Sequence, residues 1–446
     1  MSQHLSKEEG NKVLNKIASD VLRPMTSHRG LELWVVFLIT LMAGFGYAYF
    51  IQLRDGLGVT AMSDIVSWGM YIGNFVFFVA VSLVGFLITA VLGLLNIKWI
   101  TPITRISELV ALSFVMVAGL VIVFDMGRPD RLHNVFLHGR FQSPIIWDIT
   151  VIISYTVISF LLYLLPLIPD IAIARKQMTN LPPWQKRLYG ILSFGWNHKP
   201  AQYNLLKKLI RLLAILIMPC ALAIHTVTSW LFAATLRPGW DTTIFGPYFV
   251  TGAFVAGAGA VIVAMYFFRV NYKLKEYLTD KHFDFMGKLL VLVSLVYLYF
   301  NINEYLVPGY KMKSHDYDHL QQLFTGHFAP MFWTSMIIGL FMPIVLPVFK
   351  YFRKPGPLAI ISILAVIGAW FKRYIIVVPT MMHPHLPAQN MPESVSTYIP
   401  TGVEIFVTLG TFGLALIIFT LLAKIFPVIP IWEVAHEKGV DLENNN

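Results

Sequence analysis

Cysteine and charge are the two things this chain has least of. Its 446 residues include one cysteine, Cys220, so it can form no internal disulfide and can hold no four-cysteine iron–sulfur cluster. Charged residues make up 13% of the chain and hydrophobic residues 57%, whereas an average soluble domain has about 25% charged residues. The mean hydropathy is +0.66. This composition excludes a soluble globular enzyme and a disordered chain, and it indicates that the bilayer is the main solvent.

Ten long apolar runs remain when the sequence is broken at its Asp, Glu, Lys and Arg residues. Most are long enough for a helix to cross about 30 Å of hydrocarbon, and flanking residues extend the short run 289–303 to 283–306. Uninterrupted runs exclude a transmembrane barrel. We therefore predict an all-α polytopic membrane protein with ten transmembrane helices, over 33–53, 65–97, 109–124, 149–169, 212–236, 242–268, 289–303, 319–349, 355–371 and 405–423.

A further uncharged stretch, 374–392, contains four prolines at positions 379, 384, 387 and 392. Because proline interrupts a helix, we predict that this stretch is a loop.

The distribution of positive charge predicts the orientation. If the N-terminus is inside, 25 of the 34 Lys and Arg residues fall on the inner side and nine on the outer side. This bias predicts cytoplasmic termini and accounts for the net charge of +10 without nucleic acid. Residues 1–32 are polar and do not resemble a signal peptide. The basic inner segment 170–211 is expected to lie on membrane lipids with anionic headgroups.

Ionisable residues at membrane depth are functional candidates, because a charge in hydrocarbon costs several kcal/mol unless it is paired or hydrated. One of them, Glu108, lies near the inner end of span 3. The others lie towards the predicted outer ends of their spans: Asp125, Asp148, His225, Glu304, Lys372, Arg373 and Glu404.

Several of these residues also have a structural interpretation. The glutamates and cations of spans 7, 9 and 10 could form buried ion pairs that tie these spans together. Glu108 could pair with Arg105 on one face of span 3, and His225 could bond a neighbouring carbonyl. Asp125 and Asp148 are harder to explain in this way, because they bracket a segment with three arginines on the predicted outer side.

Carboxylates, a histidine and arginines at the edge of an apolar bundle suit a lipid-soluble molecule that exchanges protons. Metal binding has little support, since His383 and His385 only flank a proline, and haem would need a second histidine inside a span beside His225. A quinol fits best. Its oxidation releases two protons, for which bases are present, and two electrons, which must leave to a partner subunit on the outer loops.

Seven short motifs follow one another along the chain. They are WGMYIGNFVFFVAVS at 68–82, TRISE at 104–108, DMGRPDR at 125–131, QSPIIWD at 142–148, HTVTSW at 225–230, GWDTTIFGPYFVTGA at 239–253 and KRY at 372–374. In this order they resemble the NrfD/polysulfide-reductase family of membrane subunits, closely over spans 2 to 6 and more loosely to span 10. The ten-span count and the PLIPD segment at 166–170 favour larger members, similar to the quinol-oxidising subunits of alternative complex III.

The resemblance implies two four-helix bundles flanked by two further helices, with menaquinone or ubiquinone bound as substrate in the first bundle near the outer face. It implies no haem, metal or iron–sulfur cluster in this chain. An iron–sulfur subunit would cover the periplasmic face, with a multihaem cytochrome c or a molybdopterin-type subunit beyond it and a related membrane subunit as a further partner. The complex would lie in a bacterial inner membrane.

The predicted spans divide the chain, and the resemblance together with the ionisable residues at membrane depth assigns the site. The segments are a cytoplasmic 1–32, a membrane part 33–306 with the quinone-binding bundle, the remaining spans within 307–425 and a cytoplasmic tail 426–446. The predicted catalytic residues are Asp125 and Asp148. The predicted quinone-binding residues are Arg128, His225, Trp147, Asn74 and Tyr71. The predicted proton path comprises Glu108, Glu304, Arg373, Lys372 and Glu404.

Two other functions stay open at this point. The chain could be a non-redox anchor or a proton-conducting subunit of the same type of complex, with a degenerate quinone site, in which case quinone analogues would not bind. It could also be a secondary transporter, which would be active in proteoliposomes without partners, although the sequence shows no internal repeat.

Overall fold

The architecture is all-helical in the computed structural model, which describes residues 7–26, 30–95, 97–178, 181–383 and 396–440. These residues contain no strand. Ten helices are long and apolar enough to cross a membrane, as the sequence predicts. Numbered as spans 1 to 10, they are Leu31–Asp55, Met70–Leu92, Thr101–Asp125, Pro144–Gln177, Pro200–Ala233, Phe245–Asn271, Asp280–Lys311, Ala329–Val348, Pro355–Met381 and Gly402–Ile425.

Shorter helices lie at the ends and in the connections, and prolines mark several helix starts. Spans 4, 5 and 9 each begin at a proline, which suits the first turn because its missing N–H would have no partner there. The shorter helices are Lys7–Val21, Arg23–Thr26, His133–Leu137, Pro183–Leu192, Ser314–Phe324 and Ile431–Glu437.

The prediction of a loop over 374–392 is wrong for its first part, because span 9 continues through Pro379 to Met381. An internal proline costs about 3 kcal/mol. Neighbouring helices bury Val377, Val378 and Met381, and membrane helices tolerate an internal proline where such neighbours satisfy the freed backbone group. Packing therefore outweighs the proline. Residues 384–392 lie outside the described residues.

The predicted run 319–349 is also divided in the structure. Its first residues belong to the helix Ser314–Phe324, and span 8 begins at Ala329. Between them the chain turns tightly at Gly326, where an added Cβ would lie 2.7 Å from the Cα of Gln322. The glycine permits a break that hydropathy alone does not reveal.

The spans pack in a definite order. Span 2 contacts span 3, span 4 contacts span 5, and span 3 also contacts span 4. Span 6 packs against spans 7 and 9, while span 8 packs against span 9. Spans 1 and 10 contact each other. The grouping into two four-helix bundles stays a prediction.

The span ends that carry Asp125 and Asp148 form one face of the protein, here called the Asp125 face. Contacts between its connections show that the ends lie together. The Ala61 amide donates to Glu404 over 2.9 Å, and the amide of Met70 donates to the Tyr398 hydroxyl over 2.8 Å.

The opposite face is here called the C-terminal face, because the helix Ile431–Glu437 packs there against spans 3 and 4. The N-terminal helix lies on the same side, where Lys16 pairs with Glu276 over 2.8 Å. The two ends of the described chain therefore share one face.

Candidate functional site

Asp148 is buried at the start of span 4. Its side chain is 3% exposed, and its Oδ1 lies 2.5 Å from the hydroxyl of Thr228 on span 5. That hydroxyl also lies 2.6 Å from the carbonyl of Ile224. A hydroxyl has one hydrogen, so it donates to one of these oxygens at a time. When Thr228 donates to the Ile224 carbonyl, Asp148 can bond to the Thr228 oxygen only as the protonated acid, which donates. The pair of Asp148 and Thr228 can therefore hold or release a proton.

His225 lies one turn before Thr228 on span 5 and is 1% exposed. Its Nε2 is buried and has no hydrogen-bond partner in the protein. Arg373 of span 9 is close enough to interact with it electrostatically. Buried polar atoms normally have partners, so the free Nε2 marks a position with unused bonding capacity.

Arg373 is held mainly by an aromatic ring. Its guanidinium carbon lies 4.7 Å from the centre of the Phe249 ring, and Nη2 donates to the Phe249 carbonyl over a long 3.4 Å. Its Nη1 has no partner. We call Asp148, Thr228, His225 and Arg373 the Asp148 group.

Asp125 ends span 3, and its buried Oδ1 also has no partner. Tyr71 and Glu404 are near enough to interact with it electrostatically. The Tyr71 hydroxyl donates to Gln52 over 2.8 Å, and the Gln52 amide donates to the carbonyl of Phe124 over 2.6 Å. These contacts fix spans 1, 2 and 3 around the carboxylate of Asp125.

Both carboxylate oxygens of Glu404 accept hydrogen bonds within the protein. Its carboxylate accepts from the Tyr398 hydroxyl over 2.5 Å and from the amides of Ala61 and Thr401, each over 2.9 Å. Burial, with Glu404 beside it, raises the pKa of Tyr398 well above its ordinary value, so that residue stays a donor. Glu404 therefore fastens two connections of the Asp125 face.

Both polar side-chain atoms of Asn74 also have hydrogen-bond partners. Its amide nitrogen donates to Thr408 over 2.8 Å, and its amide oxygen accepts from the Trp370 indole over 2.6 Å. These bonds tie span 2 to spans 9 and 10.

Arg128 and Trp147 lie at the surface. Arg128 is 64% exposed and pairs with Asp130 over 2.9 Å, which lowers the pKa of Asp130. The Trp147 indole donates to the Phe141 carbonyl, and its ring meets Trp230 edge-on at 6.4 Å. The structure does not bring Arg128 to either predicted catalytic aspartate.

Lys372 and Glu304 lie deeper, between spans 7, 8 and 9. The Lys372 ammonium contacts the Tyr305 hydroxyl and lies over the rings of Tyr305 and Phe332 at 4.5 and 5.6 Å from their centres. One oxygen of Glu304 is buried without a partner. Glu304 and Lys372 are close enough to attract each other electrostatically, as considered from sequence. Among the described residues, neither Glu304 nor Glu404 has a cation within the 4.0 Å of a direct salt bridge.

Glu108 lies towards the C-terminal face and pairs with Arg105 over 3.8 Å, as its spacing predicts. Arg105 also meets Asp170 of span 4 over 3.3 Å. Sequence reasoning missed Asp170 and Thr228. Thr228 had a detectable signal, since it lies three residues after His225 and so shares its helix face, whereas Asp170 is far from Arg105 in the chain.

Known proteins match this chain over most of its length. The family model for polysulphide reductase, NrfD, matches residues 58–385. A selenate reductase subunit of Mesobacillus selenatarsenatis is 23% identical, with 87% of this chain and 92% of that protein covered. The Hdr-like menaquinol oxidoreductase integral membrane subunit of Archaeoglobus fulgidus is 23% identical, with 89% and 93% covered. The menaquinone reductase integral membrane subunit of Nitratidesulfovibrio vulgaris is 22% identical, with 89% and 92% covered.

Proposed function

Because the chain belongs to the NrfD polysulphide reductase family, we propose that it is the quinone-binding membrane subunit of a multi-subunit redox complex and that the Asp148 group is its quinone site. Two relatives carry menaquinol or menaquinone in their names, which supports a quinone as substrate. The same site would serve quinol oxidation and quinone reduction.

One observation carries this proposal: buried polar atoms without partners gather near the Asp125 face. Three of them are His225 Nε2, Arg373 Nη1 and Asp125 Oδ1. Others are Glu304 Oε2, Arg237 Nη1 and His319 Nδ1. An unmade hydrogen bond in a buried setting costs about 1–3 kcal/mol. A ligand with hydroxyl or carbonyl groups would remove that cost at each atom it reaches.

The chemistry of a quinol suits these atoms. A quinol hydroxyl donates to a histidine nitrogen or to a carboxylate, whereas a quinone carbonyl accepts from a guanidinium. His225 and Asp148 thus fit the reduced form, and Arg373 fits the oxidised form. When the quinol loses its two protons, Asp148 takes one, and Thr228 turns its hydrogen towards the Ile224 carbonyl. Asp125, the second predicted catalytic residue, takes the other on its free Oδ1.

The two electrons need an acceptor outside this chain. The chain has one cysteine, so a cluster-bearing partner subunit would receive them at the Asp125 face. The connection between spans 3 and 4 supports docking there, since Phe136 and Phe141 are exposed beside Arg140. The charge bias of the connections supports this orientation, with the Asp125 face on the outer side of the membrane and both termini in the cytoplasm.

The test is a pair of isosteric variants in the purified complex. Asp148→Asn keeps the shape of the side chain but removes its ability to take a proton. We expect quinol oxidation to fall by about 100-fold or more, since general acid–base groups contribute about 10²–10⁴-fold. Asp318→Asn makes the same chemical change on the same face, at an exposed residue outside the connection between spans 3 and 4, and should leave the rate unchanged.

Co-purification of the partner subunits with each variant shows that the complex has assembled. A full rate of quinol oxidation by an assembled Asp148→Asn complex would contradict the site. Failure of the wild-type chain to bind any quinone analogue would favour the anchor function instead.

A further inference from the structure

Buried polar side chains form a line from the Asp148 group towards the C-terminal face. On span 4, Tyr155, Ser159 and Tyr163 are all buried and follow at four-residue spacing. That spacing places them one above another on one helix face, about 6 Å apart. His225 lies eight residues before the end of span 5 at Ala233. Measured from the Asp125 face, where span 4 begins and span 5 ends, His225 therefore lies deeper than Asp148 and less deep than Tyr155. It is about one helical turn from each of them.

Most members of this line have unused bonding capacity. His225 Nε2 and the Tyr163 hydroxyl have no hydrogen-bond partner in the protein. Ser159 Oγ makes no bond to the backbone, and the group near it is the Tyr155 hydroxyl. Tyr155 donates to the Ser82 carbonyl over 2.7 Å and keeps its oxygen free to accept.

Other hydroxyls on span 4 behave differently. Ser154 donates to the Thr150 carbonyl over 2.8 Å, and Thr156 donates to the Ile152 carbonyl over 2.8 Å. This backbone bond is the usual way for a hydroxyl to be satisfied inside a helix. Ser159 does not use it, although it is more deeply buried than Ser154. Its hydroxyl is instead close enough to the Tyr155 hydroxyl to interact with it.

The line ends at a cavity on the C-terminal face. Tyr163 is close enough to Arg105 and Glu108 to interact with both electrostatically. Arg105, Glu108 and Glu433 line the cavity, which has a volume of about 400 Å³. A water in the liquid occupies about 30 Å³, so the cavity has room for on the order of ten waters.

The charges at this end do not balance around Arg105. Its guanidinium faces Glu108 at 3.8 Å and Asp170 at 3.3 Å, and Glu433 is a third carboxylate that it attracts. Asp170 is the best satisfied of the three, because its other oxygen accepts from the Trp432 amide over 2.9 Å. Glu108 and Glu433 share the attraction of Arg105 with Asp170 and line the cavity, so these two carboxylates are suited to exchange protons with its water.

Further titratable groups line the cavity. They are Lys207, Arg211, His436 and Glu437.

A purely structural explanation covers part of these observations. The bonds of Asp170 to Arg105 and Trp432 attach the C-terminal helix to spans 3 and 4. They do not account for the unused bonding capacity of Ser159 and Tyr163. They also do not account for a cavity of about 400 Å³ beside Glu108 and Glu433.

We propose that this line is a proton path, in which Tyr155, Ser159 and Tyr163 and intervening waters carry protons between Asp148 and the cavity at the C-terminal face. Each step breaks one O–H or N–H bond as the next one forms, so no oxidant or reductant is needed. The end at Asp148 rests on the proposed function, whereas the cavity end does not. Chains of carboxylates, histidines and hydroxyls are the usual proton relays of membrane proteins.

This route differs from the path predicted from sequence, with which it shares Glu108. Lys372 is enclosed by aromatic rings, and Glu404 has its bonding capacity filled. A proton path through Glu304, Lys372, Arg373 and Glu404 stays a prediction. The line on span 4 is independent of it.

The first experiment compares two double variants of the complex in liposomes, with a pH-sensitive dye on each side and quinol as the driving substrate. In Ser159→Ala/Tyr163→Phe the line loses two hydroxyls. We expect proton exchange on the C-terminal face to fall at least tenfold, while binding of a quinone analogue stays unchanged. The control, Ser154→Ala/Tyr299→Phe, makes the same changes at exposed residues and should match the wild type.

Unchanged proton exchange at the C-terminal face in the assembled double variant would overturn the proposal. So would exchange confined to the Asp125 face in the wild type. Absence of quinol turnover in the wild-type complex is a different result, since it counts against the proposed function and not against the path.

The second experiment tests the path without turnover, using hydroxyl-radical labelling of the full chain with mass spectrometry. Buried side chains are labelled by this method only where they touch bound water. We expect labelling of Tyr163 and Tyr155 well above that of Phe78, which is fully buried among apolar side chains. Labelling of both tyrosines as low as that of Phe78 would overturn the proposal.

Discussion

Two kinds of buried polar side chain lie near the Asp125 face. Asn74 and Glu404 have their hydrogen bonds made within the protein. His225 and Arg373 each have a buried nitrogen without a partner. The two kinds are equally buried, so burial alone does not identify a binding site. The difference in bonding separates residues that hold helices together from residues that can bind a ligand.

The largest structural effect should come from changing a buried residue whose hydrogen bonds are made within the protein. Both backbone amides donate to Oε2 of Glu404, so in Glu404→Gln the one remaining oxygen can keep them while the NH₂ group faces the Tyr398 hydroxyl, which loses its acceptor. We expect a loss of about 2–3 kcal/mol, the usual effect of leaving buried donors unpaired, seen as a lower midpoint of thermal unfolding. Affinity for a quinone analogue, measured below that midpoint, should change less than threefold.

A Glu404→Gln chain that unfolds like the wild type but no longer binds quinone analogues would contradict this distinction between the two kinds of residue. It would place Glu404 among the ligand-binding residues.

A smaller effect should appear at the C-terminal helix as the pH changes. Burial raises the pKa of Glu433 from 4.5 to about 7, Asp170 and Glu437 reinforce the shift, and Arg105 opposes it. An undocked helix loses this proton near pH 4.5, whereas the docked helix keeps it until about pH 7. Docking is therefore most stable below pH 4.5 and weakens as the pH rises towards 7.

Cleavage by trypsin after Lys438 reports on this docking. Cleavage should become faster between pH 5 and pH 7, after correction for the protease's own pH profile. In Glu433→Gln this increase should vanish, while the exposed neighbour variant Glu437→Gln should keep it. An increase that survives in Glu433→Gln would show that another group controls the docking.

The ten spans could be predicted from sequence because hydrocarbon thickness and the cost of charge determine their length and composition. The end of span 9 could not. The effect of Pro379 depends on how tightly its neighbours bury residues 377–381, and that packing is a property of the assembled helices.

The site was predictable only as a set of candidates. Depth along the spans identified His225, Arg373 and Asp148, but sequence does not show which buried groups find partners. Arg128 illustrates the limit, since a carboxylate two residues away, Asp130, pairs with it at the surface. The contacts of Arg105 with Asp170 and of Asp170 with Trp432 join distant parts of the chain that share no local pattern.

The most direct test of the quinone site is the affinity of a quinone analogue for the full chain in nanodiscs, measured by fluorescence quenching. His225→Leu removes a free acceptor, whereas Asn74→Leu removes a residue whose bonds are already made. We expect about tenfold weaker binding or more for His225→Leu, equivalent to about 1.4 kcal/mol, and near wild-type affinity for folded Asn74→Leu. Wild-type affinity in His225→Leu, with binding lost in Asn74→Leu, would contradict the account.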